Sequence, residues 1–132
     1  IDVNALWEQA GLEPKSMDLV QTYDDYPVIS VMQIEDLGFC AKGEGVAFLK
    51  QRNLTIKGDF PLNTSGGQLS AGQAGAAGGF IGMVEALRQV TGQANETQVK
   101  AAKHALVSGF GMINFDRGLC TSATVLSEGV RL

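Results

Sequence analysis

Two stretches of the chain carry residue types that do chemistry. In Tyr23-Asp24-Asp25-Tyr26, two phenols and two carboxylates stand together at the end of an alternating run, Met17 to Tyr23. Strand ends are where α/β folds place active groups. Paired carboxylates can push one pKa up and supply a base, and a buried tyrosine can give or take a proton. The same four residues also suit a helix cap with two packing aromatics. The second stretch, Asn63-Thr64-Ser65-Gly66-Gly67, feeds through Gly72-Gln73-Ala74-Gly75 into a helical pattern. A glycine-rich loop that opens a helix turns backbone N–H groups towards an anion or a developing oxyanion. It is not a Walker loop, since no Gly-Lys-Ser/Thr follows, and the G-x-G-x-x-G spacing is absent. Tight backbone packing is the other reason for such glycines.

The remaining reactive residue types form no pattern. His104 is the only histidine, sits beside Lys103 and has no metal-like neighbours, so it reads as a surface residue. Cys40 and Cys120 show no CxxC or Cys/His signature and read as free, small, buried hydrophobes; no metal site is expected. Lys42, Lys50, Arg52 and Lys57 cluster, which suits either a ligand phosphate or a solvated face.

These groups need elements to hold them. Val3, Leu6, Trp7 and Ala10 share one helical face, with Asp2 as cap, Gly11 as stop and Trp7 in the core. Pro27 suits the start of a helix ending at Glu35 to Gly38, although Val28, Ile29, Val31 and Ile34 leave a strand open. Gly43 to Lys50 suits a short helix, and Leu54 to Phe60 an extended stretch with a turn at Gly58-Asp59. Ala71 to Val90 reads as one long helix along Ala77, Phe80, Ile81, Val84, Leu87 and Val90. Gly75, Gly78, Gly79 and Gly82 within it would together cost roughly 3–4 kcal/mol relative to alanine, which a close approach must offset. His104 to Phe110 and Leu119 to Leu126 read as an antiparallel pair joined by Gly111 to Gly118. The sum is an α/β layered domain.

Composition narrows the function. The 132 residues read as a single domain, 1–132, that can bury a core without disulfides or a structural metal. Ten Lys+Arg against fourteen Asp+Glu give a net charge of −4, which argues against nucleic acid or an anionic membrane as the main partner. No apolar stretch reaches the ~20 residues of a membrane span, and no leader pattern opens the chain. A cytoplasmic location is expected.

Asn63 through Gly78 resembles the thiolase signature Asn-x-x-Gly-Gly-x-x-x-x-Gly-His-Pro-x-Gly-x-x-Gly. Glu35 through Gly45, the Ala-Gly-Leu and Tyr-Asp-Asp-Tyr opening, and Gln98 through Gly111 resemble the lipid-transfer (sterol-carrier-type) branch of that superfamily. The likeness covers nearly the whole chain, but only the C-terminal half of a thiolase. It implies a half-domain with a mixed five-stranded sheet layered with helices. It also implies that the acyl-accepting cysteine belongs to an N-terminal half this chain lacks.

The departures from the motif carry the functional expectation. Gln73 replaces the histidine of Gly-His-Pro, and glutamine cannot take a proton at neutral pH. Tyr23 stands at the histidine position of the His-Asp-x-Phe-like segment. The second catalytic cysteine would fall near Ser108 to Gly111, where there is none, and Cys120 is not given that role. Ordinary thiolysis is therefore not expected. What remains resembles aldolases acting on steroid or other side-chain CoA thioesters, in which a tyrosine transfers the proton. The resemblance implies Tyr23, Asp24 and Gln73 as catalytic residues, with Tyr23 as base tuned by Asp24. It implies Tyr26, Asn63, Gly66, Gly67, Gly72 and Gly111 as the substrate-binding set. A phenol near 10 needs a downward shift of about three units, about 4 kcal/mol, to be half ionised at pH 7. The expected ligand is a CoA thioester, as substrate, with no tightly bound cofactor. Expected partners are an N-terminal thiolase half or thiolase-like subunit and an OB-fold/zinc-ribbon accessory protein, in an oligomer. Two alternatives stay open: an acyltransferase or thiolase whose nucleophile lies in the missing half, and a non-catalytic half that binds lipid or CoA or acts as scaffold.

Overall fold

A computed structural model describes residues 3–73, 75–115 and 117–129. Asp2, the expected cap, and Ala74 of the glycine-rich loop lie outside them. The sheet consists of β1 (Leu19–Gln21), β2 (His104–Asn114) and β3 (Arg117–Ser127), in that spatial order. β1 runs parallel to β2, Leu19 opposite Ala105 and Gln21 opposite Val107; β3 returns antiparallel to β2. The sheet is thus mixed, and helices cover both faces.

Alternation along the strands divides the core. Leu19, Ala105 and Val107 face α5 (Ile81–Val90), packing with Ala86, Val90, Val99 and Ala102. Val20 and Leu106 face the other way, against Ile34 of α2 (Pro27–Asp36), Leu37 and Phe60. Phe60 is the hub of that side: the rings of Phe39 and Phe48 meet it edge-on, each at 5.2 Å between centroids. α1 (Val3–Ala10) and α3 (Gly45–Lys50) flank this layer. Trp7 is half-buried there, its indole N–H donating to the Leu37 carbonyl at 3.1 Å. No helix among the described residues is long and apolar enough to cross a membrane.

Several expectations change. Among the described residues the sheet has three strands, not five. A further strand is only begun: Val20 forms an isolated parallel bridge with Leu62, while Leu54 to Phe60, expected to be extended, folds into turns. There the Asp59 carboxylate accepts from the Asn53 N–H and pairs with Arg52, drawing the segment back on itself. The single helix over Ala71–Val90 is three pieces: α4 (Gly67–Ala71), a 3-10 segment at Gly75–Phe80, and α5. Gly72, at φ +107°, breaks the helical path. Most of the glycines thereby avoid the helix-interior penalty. Only Gly82 remains inside α5, where a Cβ would sit 3.1 Å from Gln21 Cβ; the expected close approach is made by Gly82 and by Gly78, whose Cβ would lie 2.9 Å from Gln68 Oε1. The helical reading of α2 holds despite its β-branched residues, with Pro27 in the first turn and Ile29, Ser30, Gln33 and Ile34 turned inward. Most of the Gly111 to Gly118 loop is instead paired strand, Gly111 opposite Cys120 and Asn114 opposite Arg117. Cross-strand pairing overrides the low strand propensity of its glycines.

Candidate active site

The site forms where β1 ends. After Gln21 the chain leaves β2, and Thr22 turns to the glycine-rich loop: its N–H donates to Asn63 Oδ1 at 2.8 Å. Asn63 Nδ2 donates back to Thr22 Oγ1 at 3.3 Å, and the Asn63 N–H donates to the Val20 carbonyl at 3.0 Å. Asn63 holds this with a left-handed backbone, φ +48°, which asparagine tolerates better than most residues. Its side chain is therefore engaged in joining the loop to the strand.

Asp24 is buried beneath that loop. Its Oδ1 accepts the Gln68 backbone N–H at 2.6 Å, at the start of α4. Gly66 and Gly67 approach with φ +95° and +60°, and a Cβ on Gly67 would lie 2.0 Å from Asp24 Oδ2. These two glycines are required by geometry: side chains rarely adopt such φ, and no side chain fits over the carboxylate. Asp24 is thus an anchor of the loop.

Beyond Gly72 the chain brings Gln73 over the strand end. Gln73 Nε2 donates to the Tyr23 phenol oxygen at 2.6 Å. Gly78 lets the following 3-10 segment close behind, since a Cβ there would lie 3.2 Å from Gln73 Cγ. The front of the loop is tied to α5: Gln21 Nε2 donates to Thr64 Oγ1 at 3.0 Å, and Thr64 donates to Glu85 Oε1 at 2.7 Å. Glu85, 1% exposed, also accepts from Gln89 and Arg88. Glu85 and Gln33 escaped the sequence reading because neither belongs to a chemical motif, while Thr64 and Gln68 stood inside the glycine-rich motif at positions given no role. A buried Glu among apolar helix positions was the available signal for Glu85.

Beneath this arrangement Tyr23, Asp24, Asn63, Gly67, Gln68 and Ser108 help line a cavity of about 20 Å³. It is far too small for an acyl chain, so a substrate can meet Tyr23 and Gln73 only from their open side. Tyr23, Asp24, Asn63, Gly66, Gly67 and Gln73 are therefore brought together. Gly72 acts as the hinge that delivers Gln73. Tyr26 stands outside as the exposed N-cap of α2, and Gly111 is spent on the β2–β3 ladder.

The electrostatics run against a resting phenolate. Burial pushes the Tyr23 phenol above its ordinary 10.0, and the charge and hydrogen bond of Asp25 push it further; Gln73 pulls the other way and Asp24 adds a small rise. Asp25, not Asp24, is the main carboxylate acting on the phenol. Within this chain Tyr23 holds its proton at neutral pH.

Other reactive groups lie apart. Cys40 and Cys120 are free; burial, with Glu35 and Glu44, raises the Cys40 thiol, and Cys120 is exposed, contrary to the buried reading. His104 meets the Ser127 hydroxyl at 2.9 Å at the opposite end of β2. Of the basic cluster, Lys42 pairs with Asp36 and Arg52 with Asp59. Among the described residues no group of three His, Cys, Asp or Glu is placed to hold a metal ion.

Residues 3–125 match the family model described as thiolase C-terminal domain-like. The chain belongs to that family. It is 37% identical over 103 residues, 78% of its length, to a 17-hydroxy-3-oxo-4-pregnene-20-carboxyl-CoA lyase of Mycobacterium tuberculosis, of which it spans 26%. It is 42% identical over 87 residues, 66% of its length, to a steroid side-chain-cleaving aldolase of Thermomonospora curvata, of which it spans 22%. Among solved structures it matches an Ltp2-ChsH2(DUF35) aldolase with a TM-score of 0.80 and 32% identity, over 98% of this chain and 31% of that one. The chain spans about a quarter of the length of the curated relatives it matches. Tyr23 and Gln73, two of the positions at which the sequence departs from the signature it resembles, touch each other.

Proposed function

We propose that this chain is the C-terminal part of a thiolase-like enzyme that makes or breaks a C–C bond in an acyl-CoA thioester by aldol or retro-aldol chemistry. The observation that carries the reading is the 2.6 Å hydrogen bond from Gln73 to the Tyr23 phenol, beside the glycine-rich loop. In cleavage, the β-hydroxyl proton of the substrate passes to the Tyr23 oxygen as the phenol's own proton passes to Asp25. The Cα–Cβ bond breaks, the β-carbon becomes a ketone or aldehyde, and the electron pair enters the thioester as an enolate, which is then protonated. Passing the proton through a neutral phenol removes the need for a phenolate at rest. In the synthetic direction the protonated Tyr23 is already a general acid. Gln73 orients the phenol; of the loop's donors, the Gln68 N–H already serves Asp24 and is not available to the thioester oxygen.

An N-terminal thiolase half, in the same chain or a separate subunit, completes the site. The exposed apolar residues Val84 and Leu87 of α5, Phe80 at the end of the 3-10 segment before it, and Leu69 of α4 give it a face to cover. An OB-fold/zinc-ribbon accessory protein is the second proposed partner; support comes from the solved relative, an aldolase named for two components.

The test is to incubate the full protein with a β-hydroxyacyl-CoA, without free CoA, and to identify the products by mass spectrometry. Aldol cleavage yields a shortened acyl-CoA and a carbonyl compound and consumes no CoA. Activity that needs a β-ketoacyl-CoA and one equivalent of CoA would replace this reading with thiolysis.

A further inference from the structure

The ladder between β1 and β2 stops at Gln21 and Val107. The next residue of β2 is Ser108, and the place beside it is taken by the side chain of Gln33, which reaches in from α2. Gln33 Oε1 accepts the Ser108 hydroxyl at 2.7 Å and the Tyr23 N–H at 3.2 Å. Gln33 Nε2 donates to the Tyr23 carbonyl at 2.7 Å and to the Ile29 carbonyl at 3.0 Å. The amide is 5% exposed, and both of its hydrogens are engaged. A side-chain amide bonded to both the N–H and the C=O of one residue stands in for a neighbouring strand. It fixes the tilt of that peptide just where the strand has lost its ladder.

We propose that Gln33 is a positioning residue that aims the Tyr23 phenol at Gln73 and at the substrate; this rests on the reading of Tyr23 given above. An apolar side chain would fill the same buried helical position without needing partners, whereas an amide is tolerated there only when paired. All of its pairing is spent on Tyr23, on Ser108 of β2, and on its own helix. The phenol sits at the far end of a rigid side chain, so a small tilt of the Tyr23 peptide moves the oxygen by more. Ser108 holds the amide from behind, in β2.

Gln33→Met in the full enzyme keeps the length and loses the amide. With β-hydroxyacyl-CoA as substrate, kcat is expected to fall on the order of 10²-fold while KM changes by less than about threefold, as for misplacement of a reacting group. In a Tyr23→Phe background the same substitution is expected to add nothing. An additive loss there, or an unchanged kcat in the single variant, overturns the proposal. Ser108→Ala removes one donor and disturbs folding less; a smaller kcat loss is expected, again absent in the Tyr23→Phe background, and an additive one counts against the proposal. A crystal structure of Gln33→Met decides the geometry whatever the reaction is. The Tyr23–Gln73 hydrogen bond is expected to be lost, and its survival at 2.6 Å overturns the proposal. Full cleavage by Tyr23→Phe would instead remove the functional reading, leaving the crystal structure to judge Gln33.

Discussion

Asp24 accepts the Gln68 backbone N–H at 2.6 Å, linking the end of β1 to the start of α4. This bond makes one unit of two segments that are far apart in sequence, and it gives Asp24 a structural duty that adjacency to Tyr23 had obscured. Asp24→Ala leaves a buried N–H without a partner and should destabilise the protein by about 1–3 kcal/mol. Urea unfolding of the full protein measures it. A midpoint equal to wild type would show that the loop does not depend on Asp24.

The glycines of the loop differ in how they are constrained. Gly67→Ala sets a Cβ against Asp24 at a left-handed φ and should cost about 3 kcal/mol or more, with loss of activity. Gly79 has open space around it and an unexceptional φ, so Gly79→Ala should be neutral or stabilise by about 0.5 kcal/mol. Thermal unfolding of the two variants side by side separates loop geometry from mere glycine content.

Tyr23 gives a pH signature. Its phenol is raised above the ordinary 10.0, so the folded state keeps this proton to a higher pH than the unfolded state does. The associated stability is present below that ordinary value and is lost as pH rises through the folded one. Wild type should therefore lose stability above pH 10 more steeply than Tyr23→Phe, with a constant difference at lower pH. Parallel curves would mean that the phenol is unperturbed.

Asp25 is the principal carboxylate raising that phenol. Asp25→Asn should move the Tyr23 titration, followed by ¹³C NMR of labelled tyrosine, down towards the ordinary value. In the relay proposed above it should also slow cleavage by about 10²-fold, since the phenol's proton loses its acceptor. Asp24→Asn should move the titration much less.

Much of this was legible in the sequence, for reasons that differ by element. α1, α2, α3 and the β2–β3 pair follow from periodicity, a first-turn proline and alternation, which are local signals. The break at Gly72 was not, because the apolar spacing of Ala77 to Val90 runs on across it; what decides the break is a backbone angle only glycine favours. The missing strand failed for a tertiary reason: Asp59 turns Leu54 to Phe60 back through Asn53 and Arg52, leaving only Leu62 to bridge Val20. At the site, Tyr23 and Gln73 were readable as departures from a motif. Asp25 outweighs Asp24 at the phenol because Asp24 is turned under the loop, onto the Gln68 N–H, which adjacency in sequence does not reveal.

In the proposed reaction Tyr23 carries the proton of the bond-breaking step. The most direct test is the single-turnover rate of β-hydroxyacyl-CoA cleavage by the full enzyme, wild type against Tyr23→Phe. Phenylalanine fills the same space and removes only the hydroxyl. A loss of at least about 10²-fold in the chemical step, with substrate binding little changed, is expected. A Tyr23→Phe enzyme that cleaves at the wild-type rate would contradict it.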